Sequence, residues 1–111
     1  MVKDIFARVK NARLENEDMY KWPGPIWDLL YVIEEATELA RGLQRKYEPD
    51  HARNSPLKGD MDLTDYLHLE WGQTLMMLVT LGIELELDGD RALEMAIKKI
   101  YATSERRRSE D

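Results

Sequence analysis

Apolar residues recur along this chain at helical spacing in four blocks, and no block alternates as a strand would. The first block predicts a helix over 4–20, with Ile5, Phe6, Val9, Ala12 and Arg13 on one stripe and Asp4 as cap or first-turn acid. Lys21-Trp22-Pro23-Gly24-Pro25 must break it, because proline lacks the backbone donor a helix interior needs. Pro25 suits the first turn of the next helix, where that donor is not used. The second helix is predicted over 25–47. Its apolar arc holds Ile26, Leu29, Leu30, Val32, Ile33, Ala36, Leu39, Ala40 and Leu43.

Residues 48–61 contain two prolines, Asn54-Ser55 and Gly59, and read as a long loop carrying His51, Arg53 and Lys58. A third helix over 62–81, ending at Gly82, is apolar almost all round, from Leu63 through Trp71, Met76 and Met77 to Leu81. Asp88-Gly89-Asp90 is a turn and cap, and the fourth helix follows over 91–106 with Leu93, Ala96, Ile97 and Ile100 as its stripe. Residues 107–111 are expected to fray. The pattern implies an all-α four-helix bundle in a single domain, 1–111. Three partner helices hardly cover the apolar surface of the third helix, so a homodimer or homotetramer is expected.

Composition narrows the class. Of 111 residues, 43% are apolar and 34% charged, too apolar for a disordered chain and too charged for a membrane protein. No apolar run is long enough for a membrane span, the charged N-terminus does not resemble a signal peptide, and cysteine is absent. A cytoplasmic location without membrane partners is the expectation. The net charge of −6 argues against nucleic-acid binding, which depends on neutralising phosphates.

The charge that matters is local. Glu34, Glu35 and Glu38 crowd one stretch of the second helix. Glu34 and Glu38 are one turn apart, at the edge of the apolar arc beside Trp27 and Tyr31, with Glu35 expected further out. Such acids are either a solvated face or a set of ligands. Glu70 is more anomalous, because it lies within the apolar third helix with Gln73 one turn on. A buried carboxylate costs several kcal/mol unless it is paired or bound to a metal. Its alternatives are a salt bridge to Lys98, Lys99 or Arg41, or a metal site built with the second helix. An all-oxygen donor set selects a hard cation, Mg²⁺ or Mn²⁺. Glu-x-x-His, the di-iron signature, is absent.

The stretch from Leu29 to Ala40, with Glu34, Glu35 and Glu38, resembles the E-E-x-x-E helix of the MazG-like all-α nucleoside triphosphate pyrophosphohydrolases. The stretch from Glu70 to Leu85, ending Gly82-Ile83-Glu84-Leu85, resembles that family's second motif, and the basic fourth helix resembles its last helix. The resemblance implies a helical fold of that type, and carboxylates holding Mg²⁺ against a nucleotide triphosphate. A water would attack the α-phosphorus, releasing a monophosphate and pyrophosphate. It implies metal-ligand roles for Glu35, Glu38, Glu70 and Gln73, and catalytic roles for Glu34 and Glu38. Substrate contacts fall to Lys99, Arg106 and Trp22. Gln73 stands where the family's second motif has an aspartate, which removes one negative charge from the site. A relative that keeps the fold but only binds a nucleotide or protein partner is the alternative this departure raises.

Overall fold

The computed structural model describes residues 1–50 and 61–110. Among these there are four helices and no strand: α1 (Val2–Glu15), α2 (Pro25–Tyr47), α3 (Leu63–Glu84) and α4 (Gly89–Glu110). The all-helical bundle expected from periodicity is the fold observed.

The helix ends differ from expectation for local reasons. α1 stops at Asn16, whose side chain donates to the Ala12 carbonyl while its own carbonyl accepts from Met19 and Tyr20. Asn and Asp side chains compete with the helix ladder in this way. α2 begins at Pro25, as the proline rule requires. Asp62 caps α3 by accepting from the Asp65 amide at 2.9 Å. α3 then runs through Gly82 to Glu84, and α4 continues to Glu110, past the expected fraying point. The loop residues His51, Arg53 and Lys58 lie outside the described residues.

α2 and α3 form the main pair, and they run antiparallel. Gly42 meets Tyr66 and Leu67 at one end, and the Gly24 amide donates to Glu84 at the other. Gly42 is there for close approach: a Cβ would fall 2.8 Å from a Tyr66 ring carbon. Tyr66 then reaches across to donate its hydroxyl to the Glu38 carbonyl at 2.9 Å. α1 lies against α3, with Phe6 seated over Gly82 and Arg13 reaching Met77 and Thr80. α4 joins at its start, where Gly89 packs on Val2 and Phe6 and Asp90 accepts from the Val2 amide at 2.9 Å. None of its residues is buried.

Candidate metal centre and adjoining cleft

α2 turns a mixed face toward α3. Its buried residues are Asp28 and Gly42, and Glu35 and Glu38, half-buried, lie between them. Meanwhile Ile26, Leu29, Leu30 and Ile33 are exposed. Most of the apolar arc therefore faces outward, with Val32 and Leu39 half-buried, and the acids face the neighbouring helix, opposite to the assignment that puts the largest apolar arc inside. This is why Glu35, and not Glu34, sits beside Glu38: Asp28, Glu35 and Gly42 recur every seven residues, so they share the α3-facing seam. Glu34 falls on the exposed side.

Across the seam stands Glu70, 0% exposed. One carboxylate oxygen each from Glu35, Glu38 and Glu70 lies within 4.8 Å of the other two, a spacing that can hold a metal ion. Three carboxylates this close repel unless a proton or a cation is shared among them. One turn after Glu70, the side-chain carbonyl oxygen of Gln73 is buried with no hydrogen-bond partner among the described residues. An orphaned buried acceptor costs about 1–3 kcal/mol. Three carboxylates and a neutral amide oxygen fit a hard divalent cation by donor chemistry.

The remaining residues named from sequence are placed elsewhere. Lys98 pairs with Glu94 at 3.1 Å on exposed α4, and Lys99, Arg106 and Arg41 are also exposed. Within one copy α4 packs mainly on α1, so Lys99 and Arg106 do not join the acids. Trp22 is half-buried with its ring under Arg13, whose guanidinium carbon is 5.5 Å from the ring centroid.

A second constellation was not anticipated. Arg13 donates through Nε to Thr80 Oγ1 at 2.8 Å and through a terminal nitrogen to Met77 Sδ at 3.1 Å. Behind it Asp28, 0% exposed, faces Glu84. Burial, then the hydrogen bond and the like charge of Glu84, push the Asp28 carboxyl up to about 7, against a smaller opposing pull from Arg13. The sequence did carry a signal for this pair: Asp28 is seven residues before Glu35, hence on the same seam.

A cleft of about 350 Å³ opens beside the acid cluster, bordered by Arg13, Lys21, Tyr20, Tyr31, Met77 and Glu35 among others. No family model, curated protein or solved structure matches this chain. No helix among the described residues is long and apolar enough to cross a membrane.

Proposed function

We propose that this protein is a Mg²⁺-dependent nucleoside triphosphate pyrophosphohydrolase of the MazG-like type. The observation that carries the reading is the convergence of Glu35, Glu38 and Glu70 across the α2–α3 seam. The resemblance of those two helices to the family's motifs agrees with it. Mg²⁺ when bound, or Mn²⁺ in its place, supplies compensation of phosphate charge and a lower pKa for water. Glu35, Glu38 and Glu70 hold the ion, with the Gln73 carbonyl as a neutral fourth donor. Glu38 doubles as a catalytic carboxylate, and Glu34, one turn before it at the exposed rim, orients water. Trp22 supports the substrate from the first connection. The roles of Lys99 and Arg106 belong to an oligomer in which α4 of another copy covers the site. The apolar residues exposed on α2 and α4, among them Ile26, Ile33, Ile97 and Ile100, support such an assembly.

The test is pyrophosphate release from a panel of ribo- and deoxyribonucleoside triphosphates with Mg²⁺ or Mn²⁺. Turnover is expected with at least one nucleotide, and Glu38→Gln or Glu70→Gln should abolish it. Absence of turnover across the panel with both metals would defeat the enzymatic reading. Gln73 favours a second reading, a non-catalytic relative that binds a nucleotide or protein partner. Gln73→Asp separates the two: it should strengthen metal binding and turnover in an enzyme, and create no turnover in a binding module.

A further inference from the structure

Arg13 is an arginine held in place by a hydroxyl, a sulfur and an aromatic face. Its guanidinium offers five N–H donors in a rigid plane. Two are directed to Thr80 and to the Met77 sulfur, the second a weak acceptor, and the plane rests over Trp22. No carboxylate among the described residues forms an ion pair with it. Asp28, buried behind it, is the acid that acts on it at a distance, without forming an ion pair. Three donors are left over, and Arg13 borders the cleft that Glu35 also borders. Lys21, exposed on the connection after α1, lines the same cleft. A positioned guanidinium with spare in-plane donors matches phosphate oxygens, and its contacts with Thr80, Met77 and Trp22 reduce the entropy lost on binding.

We propose that this cleft is an anion subsite in which Arg13, assisted by Lys21, takes a phosphate group of a ligand that reaches the acid cluster at Glu35. The ligand class is a polyphosphate, bridged to the acids by a divalent cation and to the cleft by the guanidinium. The subsite deepens the pyrophosphohydrolase reading and rests on it for the cation, while the anion contact is carried by Arg13 with Lys21. Tyr20 and Tyr31 also line the cleft.

The probe is inorganic pyrophosphate, titrated calorimetrically into the full chain with and without Mg²⁺, beside a titration of Mg²⁺ alone. The wild type is expected to bind Mg²⁺, and to bind pyrophosphate more tightly in its presence. Arg13→Gln should weaken pyrophosphate binding about tenfold or more, the size of one lost charge-assisted hydrogen bond, and leave Mg²⁺ binding unchanged. Lys21→Gln should weaken it less. Because Arg13 also ties α1 to α3, circular dichroism checks each variant. If Arg13→Gln does not fold, Arg13→Lys and Lys21→Gln decide by the same criterion. Folded variants that bind pyrophosphate as the wild type does overturn the subsite, as does a wild type that binds Mg²⁺ but no pyrophosphate. A wild type that binds no Mg²⁺, yet binds pyrophosphate in an Arg13-dependent way, upholds the subsite and removes the metal reading.

Discussion

Asp28 is a buried carboxyl that burial and the neighbouring Glu84 push above its ordinary range. Its carboxyl is raised to about 7 in the fold, against 3.8 for the ordinary side chain. The folded chain thus binds a proton more tightly than the unfolded chain between these values. Stability from this group is fully present below about pH 4 and is lost as pH rises toward 7, with no further change above. Asp28→Asn removes that dependence, since an amide can donate to Glu84 at any pH. Urea unfolding should show the variant gaining on the wild type at pH 8 and matching it near pH 4; equal differences at both would refute the raised Asp28 carboxyl. Gly42 makes a simpler prediction. A methyl there would overlap the Tyr66 ring and a Leu67 methyl at 2.9 Å. Gly42→Ala should therefore lower stability by about 1–3 kcal/mol, read from the urea midpoint, even though alanine is the better helix former.

The elements differ in what holds them. α2 and α3 meet through a seam of glycine, tyrosine and carboxylates. A divalent ion should raise the melting temperature in proportion to its occupancy, and Glu70→Gln should remove that increase; identical melting with Mg²⁺ or EDTA would count against a cation site. α1 is attached by fewer groups, chiefly Phe6 over Gly82 and Arg13 against Thr80. A Cβ at Gly82 would meet the Phe6 ring at 2.9 Å. Gly82→Ala should accordingly destabilise α1 docking by about 1–3 kcal/mol. Hydrogen exchange should then speed in α1 amides before those at the centres of α2 and α3; uniform acceleration would mean that α1 and the pair unfold as one unit.

At the scale of the molecule, one copy is open. Its radius of gyration is 17.6 Å, where a compact chain of this length reaches about 13 Å. Among the described residues the buried hydrophobic side chains are Tyr66, Met77 and Val79 alone, while α2, α3 and α4 leave Ile26, Ile33, Trp71 and Ile100 more than half exposed. Exposed apolar surface on this scale is what the proposed assembly would cover. Light scattering should find a dimer or tetramer at micromolar concentration, and Ile33→Glu with Ile100→Glu should dissociate it. A wild type that is already a monomer would remove the assembly, and with it the proposed role of Lys99 and Arg106.

Helix number was legible from the chain, because proline and capping aspartates act over one or two residues: Pro25 opens α2, Asp62 caps α3 and Asp88 caps α4, which takes in Gly89 and Asp90, expected as turn. Glu70 was legible as an anomaly for a similar reason, since a carboxylate in an apolar helix needs something to compensate it. Which side of α2 faces inward was not legible. Periodicity ranks faces by hydrophobicity, and here the inward seam is chosen by the close approach that Gly42 permits and by what Asp28, Glu35 and Glu38 meet on α3. That choice put Glu35 in the cluster and Glu34 at the surface. Arg13 shows the same division: its place on the stripe of α1 follows from spacing, whereas Thr80, Met77 and Trp22 reach it only after three separate segments fold together.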